Sequence, residues 1–148
     1  MKYVHTNIIS KDWKMLAEFY IEVFDCRFVP PERNQAGEWL GQGTGVPGAE
    51  LQGAHLLLPG YGEDGPTLEI YQYKNVVERS DQLPNALGFG HISFEVSDVK
   101  KVLDAVCAKG GSGFGQITTR EIEGVGLLTF VYARDPEGNF IEIQHWEK

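Results

Sequence analysis

The chain repeats itself, and that repeat constrains its fold more than any other feature. In the first half, the apolar and polar residues of Tyr3 to Ile9 partly alternate, which predicts a strand with Tyr3, His5, Asn7 and Ile9 on one face. Ser10 or Asp12 then caps a helix whose apolar positions Trp13, Leu16, Phe19, Tyr20 and Val23 recur at three- and four-residue steps, ending near Phe24-Asp25. A short strand around 26–29 stops at Pro30-Pro31, because proline has no N–H to give a ladder. Residues 32–49, with Gly37, Gly41, Gly43, Gly45, Pro47 and Gly48, read as a long mobile loop, a candidate pocket lid. Strand patterns return at 51–58 and 67–73 across the turn-rich stretch 59–66. The first half reads β-α-β-β-β.

After a polar linker at 74–85, the same order restarts. Residues 89–96 read as a strand, and Asp98 caps a helix with apolar Val99, Val102, Leu103 and Val106 that closes at Lys109-Gly110-Gly111. Strands follow at 117–122, 127–133 and 140–144, the last after the turn Asp135-Pro136-Glu137-Gly138-Asn139. The expectation is an α+β fold, a single domain over 1–148 built from repeats at about 1–73 and 86–148.

Duplication predicts that corresponding positions carry corresponding chemistry and face a shared cavity. His5 and His91 fall in the first strand of each half, and Glu69 and Glu142 in the fourth. Each Glu lies between aliphatic residues, as Leu68-Glu69-Ile70 and Ile141-Glu142-Ile143, and a carboxylate aimed into a core is costly unless paired or bound to metal. Two imidazoles and two carboxylates suit one divalent Zn, Ni, Co, Mn or Fe(II) ion, with positions left open for water or substrate oxygens. A lone strand Glu is ordinarily a solvent-face residue and a lone strand His ordinarily structural. Four of them at equivalent places of a repeat point to a site.

Two further histidines compete. His145 follows Glu142 by an odd step and points to the opposite face, as a surface or interface residue; His55, mid-strand before Leu56, fits core or surface better than pocket. Alternation adds Asn7 beside His5, Tyr71 and Tyr73 beside Glu69, Ser93 beside His91 and Gln144 beside Glu142 as pocket-lining candidates, with Trp39 in the loop placed to cover an apolar substrate.

Charge excludes other functions. A net charge of -8 and pI of about 4.9, with Lys and Arg scattered, repel nucleic acid and anionic membrane surfaces. Cys26 and Cys107 form neither a disulfide framework nor a CxxC motif, and read as reduced, structural thiols. With no signal-peptide pattern at the start and no apolar run of membrane-spanning length, the expected location is cytoplasmic and the expected partner a small molecule.

The stretches 88–96 (Gly-Phe-Gly-His-Ile-Ser-Phe-Glu-Val) and 134–143 (Arg-Asp-Pro-Glu-Gly-Asn-Phe-Ile-Glu-Ile), with Leu68-Glu69-Ile70 and His5, resemble the glyoxalase, bleomycin-resistance and extradiol-dioxygenase superfamily, the vicinal-oxygen-chelate group. The resemblance covers the whole chain. It implies eight strands in a half-open barrel around a metal and, commonly, a homodimer; the ligand order His, Glu, His, Glu is similar to that of bacterial glyoxalase I (lactoylglutathione lyase). In those enzymes an ion chelating vicinal oxygens stabilises an enediolate, and a carboxylate released from the metal acts as base. By that analogy Glu142 is the catalytic base and Glu69 its partner. Glyoxalase I binds glutathione through an Arg four residues after the first ligand and an Asn four after the second; here Ile9 and Tyr73 stand there, so a different substrate is implied unless Arg33 or Arg120 compensates. Within the resemblance, an Fe(II) extradiol-type dioxygenase, a methylmalonyl-CoA epimerase-like enzyme and a non-catalytic resistance protein are the alternatives.

Overall fold

The computed structural model describes residues 1–80 and 82–148, so part of the expected 74–85 linker, at residue 81, lies outside the described residues. Two compact units divide the chain, Met1–Arg79 and Ser80–Lys148. Each is a βαβββ-type module of mixed α+β structure.

In the first unit, β1 (His5–Ile9) leads to α1 (Trp13–Phe24), and of the two capping candidates Asp12 does the work: its Oδ1 accepts from the Met15 N–H at 3.1 Å. Trp13, Leu16, Phe19, Tyr20 and Phe24 are buried, and α1 packs on β3 (Glu50–Leu57) and β4 (Thr67–Tyr73). The sheet order is β1-β4-β3-β2, with β1 parallel to β4 and the rest antiparallel.

The stretch between α1 and β3 departs from expectation. Strand β2 does not stop at the prolines; it runs from Arg27 to Ala36 along the sheet edge, and its pairing with β3 skips between Val29 and Arg33, where the Pro30-Pro31 peptide is cis. An edge strand with a bulge accommodates residues that cannot donate to a ladder. The rest of the supposed loop contains a two-turn helix, α2 (Glu38–Thr44). Its ends are Gly37 and Gly45, both at positive φ, so these glycines punctuate a helix rather than mark an open loop. Leu40 of α2 is buried with Ala49 and Leu51, and Tyr71 and Tyr73 pack against that cluster.

The second unit runs β5 (Ile92–Glu95), α3 (Val99–Ala108), β6 (Ser112–Gly113), β7 (Thr118–Ile122), β8 (Gly126–Arg134) and β9 (Phe140–Glu147). Asp98 caps α3 through the Lys101 N–H at 2.9 Å. The sheet order is β5-β9-β8-β6, and β7 also pairs with β8. β6 and β7 together line the edge of β8 that corresponds to the one β2 covers on β3; the expected second strand of this half is split, which raises the described total to nine strands.

The turn into β9 is built on Asp135, which is buried. Its Oδ1 accepts from the Glu137 and Asn139 N–H groups, both at 2.9 Å, and its Oδ2 from the Asn139 amide at 2.6 Å. Gly138, at φ 85°, completes the reversal. This turn sets the start of β9 and hence the register of Glu142. Among the described residues no helix is long and apolar enough to cross a membrane.

Candidate functional site

Glu69 lies in the middle of β4 between Leu68 and Ile70, both fully buried on the face that packs on α1. Alternation sends Glu69 to the other face with Tyr71 and Tyr73. Its ladder neighbours are Asn7 on β1 and His55 on β3. At 7% exposure Glu69 is a buried acid, and the basic groups nearest its carboxylate among the described residues are two imidazoles: Oε1 lies 3.3 Å from His5 Nδ1 and 3.0 Å from His55 Nε2.

The neighbours of that carboxylate are themselves perturbed. His55 Nε2 lies 2.6 Å from the Tyr71 hydroxyl. Burial, followed by the charge of Glu69, pushes the Tyr71 phenol up to about 12. Burial lowers the His55 pKa against the opposing pull of Glu69, with the positive charges of Arg33 and His5 adding to the lowering.

The second unit presents the same pairing more simply. Glu142 sits between the fully buried Ile141 and Ile143, across the ladders from Ser93 on β5 and Tyr132 on β8. His91 Nε2 lies 2.9 Å from Glu142 Oε2, and the His91 ring packs 4.8 Å from the Tyr132 ring. Burial and then Glu142 raise the Tyr132 phenol above its ordinary value. His91 itself stands just before β5 rather than within it, because the paired segment begins at Ile92.

The remaining expected residues separate. The Asn7 amide donates to the Glu69 backbone carbonyl at 3.4 Å, and Tyr71 joins the His55–Glu69 group. Tyr73 packs against the Leu40–Ala49–Leu51 cluster, while Ser93 is exposed in register with Glu142. Trp39 is not in an open loop: it is a residue of α2, 61% exposed, and its indole N–H donates to the Ala36 carbonyl at 3.0 Å. Gln144 accepts from the Trp146 indole at 3.2 Å, and His145 Nδ1 contacts the Val96 carbonyl at 2.8 Å. The residue that sequence reasoning set aside is His55. The β3–β4 register places it directly opposite Glu69, but the turn between the strands is too long for that register to be read in advance.

Among the described residues, no group of three or more His, Cys, Asp or Glu side chains is preset as a coordination shell. Instead, the ligand candidates of each unit bond one another. The donor chemistry nonetheless fits a divalent ion: a buried carboxylate with imidazole partners and no Lys or Arg among its ion pairs, and a second imidazole–carboxylate pair at the equivalent place.

Residues 2–143 match the family model described as the glyoxalase/bleomycin resistance protein/dioxygenase superfamily. The chain belongs to this superfamily. A superfamily relative, a probable lactoylglutathione lyase of Vibrio parahaemolyticus, is 27% identical over 142 residues, covering 95% of this chain and 87% of that protein. Among solved structures, a glyoxalase family protein from Bacillus cereus superposes with a TM-score of 0.77 at 20% identity, over 100% of this chain and 94% of the other. A mutant fosfomycin resistance protein from Listeria monocytogenes, solved with Mn(II) and 1S,2S-dihydroxypropylphosphonic acid, gives 0.56 at 15% identity, over 96% and 90%. At the two positions where glyoxalase I in this superfamily carries its glutathione-binding Arg and Asn, Ile9 is an exposed strand-end residue and Tyr73 is committed to packing beside α2.

Proposed function

We propose that this superfamily member is a metal-dependent isomerase or lyase of the glyoxalase type, in which His5, Glu69, His91 and Glu142 are the ligands of one divalent ion from the Zn, Ni, Co, Mn or Fe class. The observation that carries the reading is the burial of Glu69 among imidazoles, with the His91–Glu142 pair repeating its chemistry. A buried carboxylate without a cationic side chain is costly, and a metal ion offsets that cost. When bound, the ion supplies Lewis-acid stabilisation of negative charge on the substrate oxygen beside the reacting carbon.

The chain's own residues do the rest. Glu142 takes the proton from the hydroxyl-bearing carbon next to the substrate carbonyl and returns it to the carbonyl carbon, while the hydroxyl proton passes to the former carbonyl oxygen, with His91 Nε2 beside Glu142 Oε2. Glu69 stays in place as ligand and partner carboxylate. Asn7, Tyr71, Tyr73 and Ser93 line the substrate side of their sheets, with Trp39 at the edge. The family's glutathione handle is missing, and Arg33 supplies the cation in its place: it pairs with Gly53 on β3, half-buried on the Glu69 face, with its guanidinium donating to the Pro31 carbonyl. The substrate class is therefore a small hydroxy- or oxo-carbonyl compound bearing one anionic group. A homodimer in the cytoplasm belongs to the same reading.

The test is metal analysis of protein purified without chelator, then assay of hemithioacetal isomerisation with glutathione and with a small anionic thiol. Activity lost on chelation and restored by Ni or Zn supports the proposal, and activity that survives exhaustive chelation overturns it. Dioxygen uptake with Fe(II) and a catechol would select the dioxygenase instead.

A further inference from the structure

The face of the first sheet that carries Glu69 is not open along its whole length. On β4, Tyr71 and Tyr73 share that face with Glu69, and across the ladder Gly53 stands opposite Tyr71 and Leu51 opposite Tyr73. Leu51 is buried with Ala49 and with Leu40 of α2, and both tyrosines pack against the three. Helix α2 therefore lies over the Glu69 face, beyond the rung that pairs Glu69 with His55.

Tyr71 fills the step between. A Cβ at position 53 would collide with the Ile70 carbonyl oxygen and the Tyr71 ring, so the missing side chain is what lets that ring lean over β3. Residues on one face of a strand repeat at about 7 Å, so little more than one such step separates Glu69 from the cluster under α2. Arg33 borders the same step from β2, half-buried and paired with Gly53. In the second unit, β7 and β8 are joined by residues 123–125 alone, so the repeat has no counterpart of α2. The helix is an addition to the duplicated scaffold, placed on the Glu69 face of one sheet.

We propose that α2 is a length filter: anchored by Leu40, it ends the substrate face one step past Glu69, so a substrate chelated at the metal site and held by Arg33 carries only a short chain between its chelating oxygens and its anionic group. This deepens the metal-site reading and rests on it. It narrows the substrate class to short-chain hydroxy- or oxo-carbonyl compounds ending in a carboxylate or comparable anion, and it rejects long-armed ones whatever their charge.

The probes are the monohydroxamates of succinic, adipic and sebacic acid, which offer two vicinal oxygens to a metal and a carboxylate at rising distance. Each is titrated into Co(II)-loaded protein and followed by visible absorption. In wild type the succinic probe should bind tightest and the sebacic probe about 10-fold or more weaker, the size of an overpacked contact. An open face would reverse that order, because each buried methylene adds about 4-fold in affinity. Leu40→Ala and, from the sheet side, Leu51→Ala should leave the succinic probe unchanged and tighten the sebacic probe by about 10-fold. The wild-type series decides even where a variant fails to fold. In metal-free protein, nuclear Overhauser contacts from the Leu40 and Leu51 methyl groups to the Tyr71 and Tyr73 rings should be present. Missing contacts, wild-type affinity that is level or rises with chain length, or the same discrimination in folded variants as in wild type would each overturn the filter. Failure of wild type to bind Co(II) would instead sink the metal reading, and the filter with it.

Discussion

His55 and Tyr132 hold corresponding places in the two units, each directly across its ladder from the candidate ligand, Glu69 or Glu142. The duplicated scaffold thus offers the same position twice and fills it differently. Beside Glu69 the occupant is an imidazole whose Nε2 lies 3.0 Å from Oε1 and bonds the Tyr71 hydroxyl, whereas beside Glu142 it is a phenol whose ring packs on His91. Predictions follow from that difference and from the turns and close contacts that hold each strand.

Glu142→Gln keeps the shape of the side chain and removes the proposed base. Turnover should fall by about 10²- to 10⁴-fold, the usual contribution of a positioned general base, while metal affinity falls only partly because three of the four proposed ligands remain. Parallel kinetics and metal titration check this, and unchanged turnover removes Glu142 from the base role.

Gly53→Ala should be a costly exchange for one methyl group. Overpacking of this kind costs about 1–3 kcal/mol, and the displaced Tyr71 ring should lose its bond to His55. Denaturant unfolding measures the first effect. The second appears as a shifted His55 imidazole signal.

Asp135→Ala strips three hydrogen bonds from the turn that precedes β9, leaving the Glu137 and Asn139 N–H groups without their acceptor. Hydrogen bonds to charged groups contribute roughly 1.5–3 kcal/mol each, not additively, so a loss of at least ~2 kcal/mol is expected. Asp135→Asn, which retains one acceptor oxygen, should lose less. Equal stability of Asp135→Ala and wild type would contradict the role given to this turn.

The two cysteines should differ in reactivity. Burial, with Asp25 adding to it, pushes the Cys26 thiol up to about 12, whereas Cys107 is exposed. The raised value means that Cys26 stays protonated in the folded chain as pH climbs past the ordinary thiol range; the stability this gives is complete below about 9 and is lost as pH rises toward 12. A thiol-specific reagent at pH 8 should therefore label one cysteine per native chain and two per unfolded chain, and rapid labelling of both in the native state would contradict the burial.

Much of the fold could be read in advance because local signals agree with one another. Asp12 and Asp98 cap the two longer helices, and each βαβββ order follows from alternation and turn residues. The ligand candidates were legible because Glu between aliphatic residues recurs at matching places. Helix α2 was hidden because glycines at its ends and in its middle imitate a loop, and β2 because an edge strand tolerates the prolines that would end a central one. His55, weighed in the sequence as core or surface, was set aside for another reason. A strand histidine reveals its partner only through register, and register across residues 58–66 depends on a turn whose shape local residue preferences do not specify.

The most direct test of the account is a calorimetric titration of chelator-treated protein with Ni(II), carried out on wild type and on His5→Ala, Glu69→Gln, His91→Ala and Glu142→Gln separately. The account predicts one ion per chain in wild type and weaker binding in all four variants, residues of both units included. Binding that depends on the residues of one unit and ignores the other, or no binding at all, would contradict it.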